Sequence, residues 1–196
     1  IPEWMLPLYG TALAAVALVP VNPASKVSDL RHILGNSGAV GLFTIDSFRG
    51  SDCLAAIHAL RGELPDLREI IRIADFGTFV EAGQSAGSVL PAVTSRDPCL
   101  ILFTSGTTGL QKGVVYHHEG VANMALLTHE RGGLLDGGVF VSPMPLFYIG
   151  GLGHVGVGAV MHRATHVVVP HFEPELFMSI VERERGTYSL LVPTMI

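Results

Sequence analysis

The chain has 196 residues, 48% of them hydrophobic and 15% charged, and a formal net charge of −5; that is long enough to bury a core and too apolar for disorder. Its mean hydropathy of +0.46 is high for a soluble domain, which points to strands buried on both faces or to a surface that another part of the protein covers. With a pI near 6.0 there is no basic footprint to displace counterions from a phosphate backbone, so nucleic acid is excluded as a partner.

Along the chain, Pro2 suits a first helical turn, and a helix is expected over residues 3–15. Residues 17–21 read as a short apolar strand closed by Pro20 and Pro23. Ser28 is placed to cap a helix that carries Leu30, Ile33 and Leu34 and stops at residues 35–38. Residues 39–45 form a second short apolar strand. Ser51 is the expected cap of a helix with Leu54, Ile57, Leu60 and Leu64 at helical spacing, and residues 69–73 follow as a strand. From 74 to 97 the periodicity dissolves among Gly, Ser and Pro, so this stretch reads as mostly linker. It separates a first α/β portion, 1–73, from a second, 98–196.

In the second portion, residues 99–103 and 113–116 read as strands on either side of a Gly/Thr loop, and 118–131 as a helix. Strands are expected at 139–142 and 167–169. Pro174 opens a helix with Leu176, Phe177, Ile180 and Val181 on one face, and residues 189–192 are a last strand. Apolar strands alternating with helices predict an α/β fold with largely parallel sheets.

Several classes drop out. Cys53 and Cys99 have no metal-ligand spacing and make no disulfide framework, which favours a reduced, cytoplasmic setting. Residues 137–162 carry no Lys, Arg, Asp or Glu, a run long enough to cross a bilayer. Pro143, Pro145, His154 and the many glycines would break or burden a spanning helix, so no transmembrane segment is expected. His117, His118, His154, His162, His166 and His171 invite a metal site, but no H-E-x-x-H or Cys-rich pattern accompanies them. They are read as surface or internally satisfied histidines, with no metal ligand among them. The chain opens on Ile1 and reads as cut from a longer sequence.

The chemistry lies in Thr104-Ser105-Gly106-Thr107-Thr108-Gly109-Leu110-Gln111-Lys112-Gly113, which has three glycines, four hydroxyls and one lysine directly after an apolar strand. Glycines let backbone N–H groups approach an anion closely, and successive N–H groups form a nest for phosphate oxygens. The hydroxyls add neutral donors, and Lys112 adds a point charge. The Walker A pattern fails because Gln111 precedes and Gly113 follows Lys112. The dinucleotide fingerprint and the G-x-S-x-G elbow are also absent here. A hydroxyl-rich hairpin turn would explain neither the length nor Lys112.

This string resembles the phosphate-binding signature of the adenylate-forming (AMP-binding) superfamily: acyl-CoA synthetases, firefly-type luciferases and peptide-synthetase adenylation domains. The resemblance implies that Thr104, Ser105, Gly106, Thr107, Thr108, Gly109 and Lys112 hold the β,γ-phosphates of ATP, with Lys112 as the catalytic residue. One departure is Gln111, where the family usually has Pro. Residues 19–23, 145–151 and 172–194 are similar to further segments of the family, less specifically. In the stretch 145–151, Tyr148, Gly150 and Gly151 correspond to positions bordering the acid pocket, and many relatives have His where Tyr148 stands. An ordinary packed aromatic is the other reading of Tyr148.

The implied reaction has two halves, using ATP, Mg²⁺ and coenzyme A. A carboxylic acid, with a fatty acid as the lean, attacks the α-phosphate to give acyl-adenylate and pyrophosphate; a thiol then displaces AMP. By the same resemblance this is an internal fragment of the large amino-terminal domain, without the carboxy-terminal domain, and inactive alone. A non-catalytic nucleotide- or phosphate-binding module is the alternative, and a metal-binding structural domain a third reading that rests on the histidines only.

Overall fold

The computed structural model describes residues 2–85, 89–104, 110–134 and 136–196. In chain order the elements are α1 (Met5–Leu13), α2 (Val27–Ser37), β1 (Gly41–Thr44), β2 (Ser47–Phe48), β3 (Ser51–Asp52), α3 (Cys53–Leu60), β4 (Glu69–Arg72), α4 (Phe76–Ser85), β5 (Pro98–Thr104) and β6 (Lys112–His117). There follow α5 (His118–Gly132), β7 (Val139–Ser142), a π-helical segment (Gly150–Val157) that runs into α6 (Gly158–Met161), β8 (Thr165–Val168) and α7 (Pro174–Glu184). The expected α/β class is what the structure has. Among the described residues, β1 pairs with β4 and β7 with β8 in parallel, β2 with β3 antiparallel, and β5 with β6.

Two compact units divide the chain. One comprises Val19–Ala92 and Leu100–Val115; the other comprises Ile1–Leu18, Val93–Cys99 and Tyr116–Ile196. This differs from the division read from sequence at 73 and 98, because the strands around the Gly/Thr loop group with the earlier portion of the chain. Within the mostly linker-like stretch 74–97, α4 occupies Phe76–Ser85.

In the first unit, Leu34 of α2 and Ile57 and Leu60 of α3 pack with Leu64 and Leu67, and Leu42 of β1 and Ile70 of β4 lie against them. The burial follows the 3.6-residue period on the helices, and that apolar face holds α2 in place. In the second unit, Phe140 of β7 packs with Leu134, Val155 and Ala159. On the other side of β7, Val141 packs with Val169 and with Phe177 and Ile180 of α7. β7 is therefore buried on both faces, as a parallel strand covered by helices should be.

Four local expectations are corrected. Residues 17–21 make no strand; only Leu18 bridges, its N–H donating to Cys99 O at 2.9 Å, and the neighbouring Pro20 has no donor to extend a ladder. Ser28 lies inside α2, whose N-cap is Lys26 in extended conformation without a side-chain cap. Asp52, not Ser51, caps α3, its carboxylate accepting from Ala55 N at 2.8 Å; a negative charge there also suits the helix dipole. At 189–192 there is no strand, but Tyr188 bridges in parallel to Phe140. The helical stretch from Gly150 to Met161 was not anticipated, because five glycines in nine residues lower helix propensity steeply. Among the described residues no helix is long and apolar enough to cross a membrane.

Candidate active site

The expected phosphate loop joins two paired strands. Cys99, Leu100 and Leu102 bury β5, and its last residue, Thr104, is exposed. Lys112 opens β6 and is exposed too. Seven residues connect them, far too few for a parallel crossover, so the pair is antiparallel. Thr104 and Lys112 thus stand at the two feet of one connection. Ser105, Gly106, Thr107, Thr108 and Gly109 lie outside the described residues.

The feet are locked together by side chains. A methyl group placed on Gly113 would lie 3.2 Å from both Ile101 Cγ2 and Phe103 Cζ, so the Phe103 ring covers the backbone where β6 begins. The His32 ring meets Phe103 edge-on, with centroids 5.9 Å apart. His32 Nε2 also lies 2.7 Å from the carbonyl oxygen of Gln111. Nothing in the local sequence announces His32, since the contact spans 79 residues.

Tyr148, Gly150 and Gly151 belong to the other unit. Met144 N donates to Ser142 Oγ at 3.1 Å, turning the chain out of β7. Tyr148 N then donates to Pro145 O at 3.2 Å, closing a turn, and Leu152 N donates to Tyr148 O at 2.9 Å as the helical segment begins. Tyr148 is 52% exposed, with its ring 4.7 Å from that of Phe147. Gly151 is buried, and a side chain there would run into the Pro145 carbonyl. Its lack of a side chain is thus already required by the turn itself.

Behind this segment lies a buried aromatic cluster that the sequence did not reveal. His129 of α5, 1% exposed, packs edge-on against Phe140, His162 and Tyr188 at 5.1, 5.4 and 5.7 Å. Burial, with His162 and His154 beside it, pushes the His129 imidazole down from 6.5 to about 4. Burial likewise lowers His154 and His166. His162 Nδ1 meets Asp136 Oδ1 at 3.3 Å. Among the described residues no group of three or more His, Cys, Asp or Glu is placed to hold a metal ion. Both cysteines are free thiols.

A glycine- and hydroxyl-rich connection ending in an exposed lysine, on an α/β scaffold, defines a candidate nucleotide-phosphate site. Residues 1–196 match the family described as AMP-binding enzyme, and the chain belongs to that family.

Among its relatives is the 3-[(3aS,4S,7aS)-7a-methyl-1,5-dioxo-octahydro-1H-inden-4-yl]propanoyl:CoA ligase of Mycobacterium tuberculosis, 30% identical over 98% of this chain and 40% of that protein. The mitochondrial medium-chain acyl-CoA ligase ACSF2 of Mus musculus is also 30% identical, over 98% of this chain and 36% of the relative. The crystal structure of a long-chain-fatty-acid-CoA ligase (FadD1) from Archaeoglobus fulgidus superposes with a TM-score of 0.85 at 26% identity, covering all of this chain and 38% of that one. The chain therefore spans about 40% of the length of the curated relatives it matches.

Proposed function

We propose that this chain is the phosphate-gripping part of an ATP-dependent acid–thiol ligase, which converts a carboxylic acid to its acyl-adenylate and then to a coenzyme A thioester. The observation that carries the reading is the connection between Thr104 and Lys112, with its glycines and hydroxyls, in a chain that matches the AMP-binding family throughout. In this reading Thr104, Ser105, Gly106, Thr107, Thr108, Gly109 and Lys112 hold the β,γ-phosphates. A carboxylate is already nucleophilic at pH 7, so no activating base is required. The work is to stabilise charge on the departing pyrophosphate and to hold the acid in line. Lys112, at the foot of β6, supplies the positive charge.

Tyr148, with Gly150 and Gly151 following, is proposed to border the acid pocket, and an apolar acid is the substrate class. The names of the relatives support a CoA acceptor. Mg²⁺, which takes most of its ligands from substrate phosphates and water, would add charge neutralisation at those phosphates.

The test is ATP–pyrophosphate exchange with a mixture of fatty acids. The full-length protein should exchange, and the isolated 196 residues should not. Gripping only the tail of ATP leaves the α-phosphate and the acid unpositioned, which forfeits on the order of 7–11 kcal/mol of barrier reduction when positioning is fully lost. Robust exchange by the 196 residues alone would contradict this and demand a much smaller active site.

A further inference from the structure

The contact between His32 and Gln111 reaches into the candidate site from a distant helix. The Gln111 carbonyl can only accept a hydrogen bond, so the imidazole donates, and its neutral tautomer carries the proton on Nε2. The imidazolium form can donate from the same atom, so the contact is available in either protonation state.

The helix that carries the ring is anchored. Ile33 and Leu34, the next residues on α2, are buried at 3% exposure each, and Gly38 ends that helix in the left-handed conformation at φ 63°. Phe103 stands edge-on to the ring and covers Gly113 in turn. His32, Phe103 and Gly113 therefore join α2 to both strands that carry the connection.

The Gln111 carbonyl and the Lys112 N–H belong to one planar peptide group. A hydrogen bond to that carbonyl sets the plane from which Lys112 begins, and with it the direction of the lysine side chain. We propose that His32 is a positioning residue that holds the 111–112 peptide so that the Lys112 ammonium meets the phosphates of ATP. The proposal rests on the reading of Lys112 as a phosphate ligand. It extends that reading to a residue outside the loop motif.

The experiment is steady-state pyrophosphate exchange by the full-length protein, with ATP and acid varied separately. His32→Ala should raise the KM for ATP about three- to tenfold, the effect of one lost hydrogen bond. The KM for the acid should stay within about twofold, because nothing in the argument links His32 to acid binding. His32→Gln, whose amide N–H can reach the same carbonyl, should recover most of the loss. His32→Phe keeps a ring against Phe103 but cannot donate, so it should behave like His32→Ala and replaces it if that variant does not fold.

An unchanged KM for ATP in both non-donating variants overturns the proposal. So does a parallel rise in both Michaelis constants that His32→Gln does not reverse, since that is the mark of a structural residue. Lys112→Ala measured alongside separates the two layers. If it raises the KM for ATP while the His32 variants do not, the positioning role is wrong and the phosphate-loop reading stands. If Lys112→Ala leaves both kcat and the KM for ATP intact, the phosphate-loop reading falls, and the positioning role falls with it.

Discussion

Two glycine-rich stretches of this chain use glycine for different reasons. In 104–113 the glycines sit among hydroxyls and a lysine, a composition suited to gripping an anion with backbone N–H groups. In 150–158 they sit among Leu, Val and a histidine, and here glycine is required by what packs against the helix. A methyl group on Gly151 would run into the Pro145 carbonyl, and one on Gly158 would overlap the His129 ring. On the proposed reading the first stretch is glycine-rich for a ligand, and the second is so for its own protein. Only the first kind leaves a signature that a sequence can be read for. The second is a π-helical segment, a form that is rare and often marks functional sites.

The contrast can be broken at Gly158. His129 is held by Phe140, His162 and Tyr188 and has no room to yield. Gly158→Ala should therefore cost about 3 kcal/mol, the upper end of what overpacking usually costs. The shift is read as a lower denaturation midpoint. Shrinking the ring in the double variant Gly158→Ala/His129→Ala should recover part of the loss. A wild-type midpoint for Gly158→Ala would show that the packing argument is wrong.

Acid should find the same region next. The unfolded chain takes up a proton near pH 6.5 that folded His129 refuses until about 4. Its contribution to stability is fully present above pH 6.5 and is lost as the pH falls towards 4, amounting to about 2–3 kcal/mol. His154 and His166, lowered by burial, act in the same direction. Denaturant titrations at pH 7.5 and pH 5 should differ accordingly, and His129→Phe should narrow the gap. Equal stability at both values would show that the cluster accepts a proton freely.

The smallest effect is expected in the first stretch. Gln111→Pro pre-sets φ and should stabilise by about 0.4–1 kcal/mol where the backbone is compatible. Proline keeps the carbonyl that His32 reaches, so that contact should survive. Exchange activity should hold or rise. A large loss would mean that the Gln111 N–H or side chain makes an essential contact.

Local chemistry made much of this fold legible. Helix α7 follows from Pro174 at its first position and one apolar face, and Glu173 caps it by accepting from Glu175 N and Leu176 N. Strands β5 and β6 were readable from apolar runs on either side of the Gly/Thr loop. What escaped was partly local and partly not. The α3 cap passed from Ser51 to Asp52 by one residue, a usual margin for helix ends. Leu18 became a bridge rather than part of a strand, because Pro20, two residues on, has no donor to extend the ladder. The helix from Gly150 to Met161 forms against its own propensity, since α5 supplies the surface it packs on. His32 could not be found from spacing at all. Within the candidate site, the sequence named Thr104 and Lys112 but gave no hint that Phe103 and Gly113 fasten the feet of the connection.

The central claim is that Lys112 works on the phosphates of ATP in the adenylation half-reaction. It is tested most directly by Lys112→Ala in the full-length protein, with the two halves assayed separately. Removing a charge-assisted contact of about 1.5–3 kcal/mol should lower pyrophosphate exchange about ten- to a hundredfold. Thioester formation from supplied acyl-adenylate should suffer much less, because pyrophosphate has already left. Equal losses in both halves would contradict the account and make Lys112 a structural residue.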